Sequence, residues 1–267
     1  MPNLRIPAPS TVARVRSGVA AALVCAVCDL DSDIRRSLPA GRYGLTLSGP
    51  GGIRRRLVFR DGRCRERRRG AGSAVLRFLD ARSMARALAG GRAAVLPLPA
   101  GAFFAKAIRA FTGASRRAAE LASRREFTDD RETSLTTELL LTAALRGVAE
   151  TAMADPWTAP KAAAMPSGVV QVRIEDSSIA AWLECRGGTW RAGRGEAFAE
   201  VNARLAFADV ETAFGLLTGS VAALSALGRG RVSIRGRLPM IQVLFPLLDR
   251  FGELMRTDDG DSEAASA

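Results

Sequence analysis

The sequence predicts an α+β fold made of two tandem modules. Segments in which apolar and polar residues alternate, as in strands, are interspersed with segments whose apolar residues recur at helical spacing. Asp61-Gly62 stands between two alternating segments and predicts a two-residue hairpin turn. The segment LRFLDARSMARALAGGR, from Leu76, matches LAFADVETAFGLLTGSV, from Leu205, at a shift of 129 positions. An internal duplication is the economical explanation of this match.

The repeated segment keeps residues that shape a strand followed by a capped helix. The matched pairs are Leu76 and Leu205, Phe78 and Phe207, Asp80 and Asp209, Leu88 and Leu217, and Gly90 and Gly219. Chance similarity is the alternative, since alanine-rich helices align easily. The predicted organisation is a first module at residues 1–125, a charged linker at 126–133, a second module at 134–255 and a disordered acidic tail at 256–267.

The start of the chain allows two interpretations. Arg5, Arg14 and Arg16 precede the apolar run VAAALVCAVC, which ends at Cys28. Basic residues before a short apolar run are typical of a signal peptide, and the same run at helical spacing is typical of an ordinary first helix.

The cysteines are too few and too unevenly placed for a secreted disulfide scaffold, so a reducing cytoplasm is expected. Cys25 and Cys28 form a C-x-x-C motif. A metal site would need two more ligands, and only Cys64 and Cys185 remain, far away along the chain. A buried thiol pair on a helix is therefore favoured, and no metal or cofactor is predicted.

The predicted hairpin places a set of arginines on one face of its two strands. Its register sets Arg60 opposite Arg63 and Val58 opposite Arg65, while Ile53, Leu57, Phe59 and Cys64 face inward. We call the outward set the arginine face. It consists of Arg54, Arg56, Arg60, Arg63, Arg65, Arg67 and Arg69.

The first module departs from the second after its predicted helix. The second has GRGRVSIRG, which alternates like a half-buried strand, whereas the first has AVLPLPAG. Because Pro97 and Pro99 cannot donate to a sheet ladder, this strand is expected to be short, at an edge, or lost.

The second module combines a long helix, a Pro-rich loop and further strands with two helices at its end. Residues 135–153 have a broad apolar face. Asp209 is placed to begin a helix and Gly219 to end it. Residues 238–255 form a helix that is apolar nearly all round, with Pro246 inside it. Its length and its terminal charges make a membrane span a poor fit, so it is expected to be buried or to cover an apolar ligand.

The order of strand, Asp-capped helix ending in glycine, G-x-x-x-I-x-G strand and apolar helix resembles the C-terminal half of the sterol carrier protein type 2 family. The resemblance lies on Phe207, Asp209, Val210, Phe214, Leu217, Gly219, Gly230, Val232, Ile234, Gly236 and Leu244. It implies modules in which a mostly antiparallel five-stranded sheet is covered by helices, with an apolar tunnel for a lipid or fatty chain. Proline in the first module puts a tunnel there in doubt.

Composition excludes several classes of active site. The chain has no histidine, so histidine triads, His-containing zinc sites and imidazole acid–base catalysis are excluded. It also lacks the nucleotide-binding and hydrolase glycine motifs. We therefore expect a binding protein rather than an enzyme.

The net charge differs sharply between the two ends of the chain. Up to Arg125, 24 arginines and one lysine stand against seven acids, a net charge of +18, whereas the remainder carries −6. Arginine outnumbers lysine 37 to 2, so part of the basic bias reflects a GC-rich coding background.

Two functions follow from these features. The first is a lipid carrier whose tunnel is lined by Phe207, Phe214, Leu217, Met240, Val243, Leu244 and Leu247. The same residues could instead be plain core. In the carrier hypothesis, the arginine face docks on an anionic membrane. The alternative for this face is that it is merely solvated. The second function is an adaptor that binds an acidic protein or nucleic acid, although this face has no interleaved aromatic residue on which bases could stack.

Overall fold

The computed structural model describes residues 6–67, 74–91, 95–98, 103–123 and 129–256. The fold is α+β, with two five-stranded mixed sheets and helices against them. The elements of the first half are α1 (Pro9–Leu30), α2 (Ser32–Ser37), β1 (Arg42–Gly49), β2 (Ile53–Arg60), β3 (Arg63–Glu66), β4 (Ala74–Phe78), α3 (Ala81–Leu88), β5 (Val95–Leu98) and α4 (Phe103–Ser123).

The second half repeats the order of strands along the chain. Its elements are α5 (Asp130–Ala154), α6 (Ala159–Ala163), β6 (Gly168–Ile174), β7 (Ala180–Arg186), β8 (Thr189–Arg194), β9 (Ala203–Phe207), α7 (Val210–Thr218), α8 (Ala223–Gly228), β10 (Val232–Gly236) and α9 (Leu238–Arg256). The sheet orders are β3-β2-β1-β4-β5 and β8-β7-β6-β9-β10. In each sheet the central strand pairs in parallel with one neighbour, and the other pairings are antiparallel.

The predicted helix caps are present in both halves. Asp80 accepts a hydrogen bond from the backbone N–H of Ser83 at 2.7 Å, and Asp209 accepts one from Thr212 at 2.8 Å. Gly219 ends α7 with φ of 78°, a left-handed conformation that favours glycine. The caps of α3 and α7 therefore stand 129 positions apart, as the sequence alignment predicts.

The hairpin register is confirmed. Asp61 and Gly62 both have positive φ, as the tight turn requires, and Arg60 pairs with Arg63 and Val58 with Arg65. The inward residues Ile53, Leu57, Phe59 and Cys64 are buried. β5 is a four-residue edge strand, which agrees with the expectation for a strand that contains proline.

α1 is the one helix in the described part of the chain that is long and apolar enough to cross a membrane, with a mean hydropathy of 1.6. In the structure 72% of its apolar window is buried within the protein. Core helices of soluble proteins and signal sequences both have this length and hydropathy.

α1 and α5 pack against each other in antiparallel directions. The hydroxyl of Thr11 donates to the carbonyl of Ala154, and Gly18 lies against the side chain of Glu150. The apolar core has two clusters, one around each sheet. Leu254, from the last helix, belongs to the cluster of the first sheet, so the two halves share their interior.

The start of α5 differs from the sequence prediction. The helix begins at Asp130, inside the predicted linker, because the carboxylate of Asp129 accepts a hydrogen bond from Arg131 and caps the first turn. Residues 126–128 and the tail from 257 onward lie outside the described residues. The division into two modules stays a prediction.

Candidate functional site

A cleft of about 730 Å³ lies where the two sheets approach each other. Strands β2 and β3 form one wall and β7 and β8 form the other, while α1 and α5 contribute residues between them. We call it the arginine cleft. Its charged and aromatic lining residues are Arg14, Arg54, Arg55, Arg56, Glu66, Arg67, Arg146, Glu150, Trp182, Trp190 and Arg191.

Two of these arginines are held by carboxylates. Arg55 lies 2.5 Å from Glu150 and 3.5 Å from Glu66. Arg146 lies 2.8 Å from Glu66 and 2.9 Å from Glu150. This charge quartet is mostly buried, and it ties the strands of the first sheet to α5.

Five other arginines of the cleft have no such partner. Arg14, Arg54, Arg56, Arg67 and Arg191 form no side-chain ion pair with another residue that the structure describes. Arg14 uses one guanidinium nitrogen to donate to the carbonyl of Gly51 at 2.9 Å. The cleft therefore carries an excess of positive charge that its own carboxylates do not neutralise.

Two tryptophans stand on the opposite wall. Trp190 is only 3% exposed, and Trp182 is half-buried with its ring packed against Gly193. The indole Nε1 of Trp182 and the Nε of Arg56 are buried, and neither has a hydrogen-bond partner among the residues that the structure describes. Sequence reasoning missed this arrangement, because no local pattern places a strand of the second half against the arginine hairpin.

The arginine face does not form one uniform surface. Arg54, Arg56 and Arg67 line the cleft, whereas Arg60 and Arg63 are exposed at the hairpin tip. The remaining members are Arg65, which pairs with a carboxylate, and Arg69, which lies outside the described residues.

Arg65 belongs to a second charged cluster, at the far end of α1. Its guanidinium lies 2.5 Å from Asp29, which also pairs with Arg194 of β8 at 2.6 Å. The hydrogen bond to Asp29 raises the pKa of Arg65, and burial raises the pKa of neighbouring Glu138 although the charge of Arg194 opposes this. Asp29 thus bridges the edge strands of the two sheets.

The predicted tunnel residues lie together around the second sheet. Phe207, Met240, Leu244 and Leu247 are buried in its core cluster. Leu217 and Val243 pack against that cluster and are partly exposed, and Phe214 is half-buried. The structure shows that the six residues other than Phe214 belong to this cluster or pack against it, and the tunnel itself stays a prediction.

The cysteines lie closer together in space than the sequence suggests. Cys25 of α1 and Cys64 of β3 have their sulfur atoms 3.3 Å apart, and all four cysteines are free thiols. Burial raises the pKa of Cys64 well above its usual value, and the neighbouring thiols of Cys25 and Cys28 add to the shift. Among the described residues, no group of three or more cysteines or carboxylates is placed to hold a metal ion.

Comparison with known proteins gives only distant structural likenesses. No family model and no curated protein matches the chain. A solved structure described as a UbiJ-SCP2 ubiquinone synthesis protein is similar over 48% of this chain and 98% of its own, with 14% identity and a TM-score of 0.31.

Two other likenesses are weaker. The stereoselective inverting sec-alkylsulfatase Pisa1 from Pseudomonas sp. is similar over 51% of this chain and 27% of its own, with 10% identity and a TM-score of 0.26. A double mutant of the sec-alkylsulfatase PisA1 gives 11% identity and a TM-score of 0.27 over 45% of this chain and 25% of its own. At such scores the likenesses assign neither a ligand nor an activity to this chain.

Proposed function

We propose that this protein binds a lipid or other long apolar ligand without catalysis, as a tandem pair of sterol-carrier-like modules. The observation that carries the proposal is the position of α9. Its residues Met240, Leu244 and Leu247 are buried against the second sheet beside Phe207. An apolar chain could lie between the sheet and this helix.

The surface of the same helix supports an entrance to such a site. Leu238, Phe245 and Met255 are 51%, 37% and 40% exposed, although each is a large apolar residue. Leu217 and Val243 pack against the buried cluster and are partly exposed. Exposed apolar groups next to a buried apolar cluster are typical of ligand entrances.

The internal duplication is part of the proposal. The equal strand order of the two sheets and the corresponding caps of α3 and α7 support it. The turn Gly187-Gly188 also has two positive φ values, like Asp61-Gly62 in the first half.

The hairpin tip supplies the membrane contact in this proposal. Arg60 and Arg63 are exposed, and each basic residue near an anionic bilayer contributes about 1 kcal/mol. The protein would therefore act in the cytoplasm at a membrane surface. Full-length protein should bind acidic but not zwitterionic vesicles, with binding weakened by salt. Arg60→Gln/Arg63→Gln should weaken it.

Lipid carriage is tested by one substitution and a matched control. Native mass spectrometry and a fluorescent acyl probe would report the ligand of the wild-type chain. Leu244→Trp should abolish probe binding and leave the chain folded, because a tunnel has room for the indole. Leu47→Trp, at a fully buried position of β1, should destabilise by about 1–3 kcal/mol through overpacking. Wild-type protein that carries no lipid and binds no acyl probe would refute the proposal.

The alternative is an adaptor that binds an acidic protein or nucleic acid with no internal ligand. Trp182 and Arg56 both line the arginine cleft, and this favours the adaptor alternative. Single-stranded nucleic acids bind where bases can stack on aromatic rings beside arginines. Binding to single-stranded oligonucleotides that exceeds binding to acidic vesicles would select this alternative.

A further inference from the structure

We propose that the arginine cleft is a binding site for a phosphate ester or polyphosphate that carries two or more negative charges. This site is separate from the predicted lipid tunnel, and the inference does not depend on lipid binding. Soluble phosphates and the headgroups of phospholipids share this chemistry, so the experiment must separate the two sources.

The first argument is the charge balance of the cleft. Seven arginines line it against two glutamates, and five of the arginines have no ion pair with another described residue. Like charges gathered in a partly enclosed space repel each other more strongly than on an open surface, because the local dielectric constant is lower. A multivalent anion would remove this repulsion.

The second argument is the supply of hydrogen-bond donors from both sides of the cleft. Arg56 projects from the first sheet and Arg191 from the second, so an anion between them would be held by two planar guanidinium groups. Such groups match the oxygen spacing of phosphate and bind it in a bidentate manner.

The third argument is that the site is built in advance. Glu66 and Glu150 hold Arg55 and Arg146 between the walls, so these two arginines keep their positions without a ligand. Fixed charges lose little conformational entropy on binding. The volume of about 730 Å³ falls in the range of small-molecule sites.

A small polyanion fits the cleft better than a nucleic acid strand. Trp190 is almost fully buried, so its ring offers no face for a base, and one face of Trp182 is covered by Gly193. Arg14 of α1 lines the cleft, and Asp29 lies near the other end of the same helix, where its carboxylate bridges Arg65 and Arg194. A strand that continued in that direction would meet this occupied bridge.

Calorimetric titration of the full chain with tripolyphosphate and with monophosphate tests the proposal. We expect one tripolyphosphate per chain, with weaker binding of monophosphate and a loss of affinity as salt rises. Arg56→Gln/Arg191→Gln should weaken tripolyphosphate binding by about tenfold for each arginine removed. The matched control Arg229→Gln/Arg235→Gln removes the same charge from exposed positions outside the cleft and should change the affinity by less than about twofold.

The controls separate specific binding from general attraction. Urea unfolding of both double variants establishes that they are folded. Equal losses in the two variants, or no tripolyphosphate binding by the wild type, would overturn the proposal. Tighter binding of a long oligonucleotide that increases with its length would also overturn it, in favour of nucleic acid.

Vesicles that contain phosphatidic acid distinguish the two sources of phosphate. Binding of these vesicles that tripolyphosphate displaces, and that Arg56→Gln/Arg191→Gln abolishes, assigns the cleft to a lipid headgroup. Vesicle binding that is insensitive to tripolyphosphate, together with tight tripolyphosphate binding, assigns it to a soluble phosphate. If Leu244→Trp fails to affect binding of the acyl probe, the carrier function is refuted. The assignment of the cleft to a lipid headgroup or to a soluble phosphate does not depend on that result.

Discussion

Glu150 of α5 lies 2.5 Å from Arg55 of β2, and this buried ion pair joins the helix of one half to the sheet of the other. Glu150 is 3% exposed and also pairs with Arg146. A buried carboxylate is stable in its charged form only with such partners. The interface between the halves is therefore electrostatic at its centre as well as apolar.

Replacing Glu150 by Gln should lower the free energy of unfolding by about 3 kcal/mol, because it leaves two mostly buried arginines with only Glu66. Urea unfolding at neutral pH measures the change. Glu175→Gln breaks a partly exposed ion pair with Arg173 and should cost less than about 1 kcal/mol. Equal effects of the two substitutions would contradict a structural role for Glu150.

Gly18→Ala should destabilise the protein by about 1–3 kcal/mol. A Cβ at this position would lie 2.5 Å from Cδ of Glu150, and that side chain cannot move freely because two arginines hold it. Gly113→Ala, in α4, meets no atom within 4 Å and should stabilise by about 0.5–1 kcal/mol through helix propensity. The two substitutions should therefore change the free energy of unfolding in opposite directions, which thermal or urea unfolding can measure.

Asp31 should make the stability of the protein sensitive to acid. Burial acts to raise its pKa, but the hydrogen bond from Arg117 at 2.9 Å and the backbone N–H groups of Ile34 and Asp33 outweigh burial and lower it. Since the unfolded chain binds the proton more readily, this stabilisation is complete above the unfolded pKa and is lost as the pH falls through the folded pKa.

Asp31→Asn keeps an N-cap acceptor but removes the charge. The free energy of unfolding of this variant should therefore fall furthest below that of the wild type near neutral pH. The difference should shrink as the pH falls below about 4. Unfolding curves at both pH values test this. Asp33→Asn, which removes an exposed carboxylate from the same helix, serves as the control. A deficit that is independent of pH would show that the charge of Asp31 is not stabilising.

Mild oxidation with diamide should join Cys25 to Cys64. Two thiol hydrogens and two electrons pass to the N=N bond of diamide, which becomes a hydrazine, as the S–S bond forms. Half-buried Cys25 is expected to react first, since burial raises the pKa of Cys64 and thiolates are the nucleophiles. Intact mass and peptide mapping would identify the bond. Cys25→Ser should prevent it, and a Cys25–Cys28 disulfide would contradict the prediction.

Features governed by local chemistry were predicted well from the sequence. Asp61-Gly62 determined the hairpin register, because a two-residue turn leaves no freedom in the pairing. Asp80, Asp209 and Gly219 marked helix ends, because side-chain caps and left-handed glycine act within one turn.

Features that depend on packing between distant segments could not be predicted in this way. The shared cleft of Trp182 and Arg56 and the contact of Cys64 with Cys25 both depend on how sheets and helices are arranged in space. The early start of α5 was missed for a local reason. Residues 129–133 are strongly charged and resemble a linker, yet Asp129 caps them as the first helical turn.

Arg16, almost fully buried on α1, donates hydrogen bonds to the carbonyls of Ala85, Leu254 and Met255. Leu254 also completes the apolar cluster of the first sheet. During synthesis, α9 leaves the ribosome only after the chain has been made beyond Arg256. The first half must therefore wait, with its interior incomplete and the guanidinium of Arg16 lacking these two acceptors, until α9 has been made.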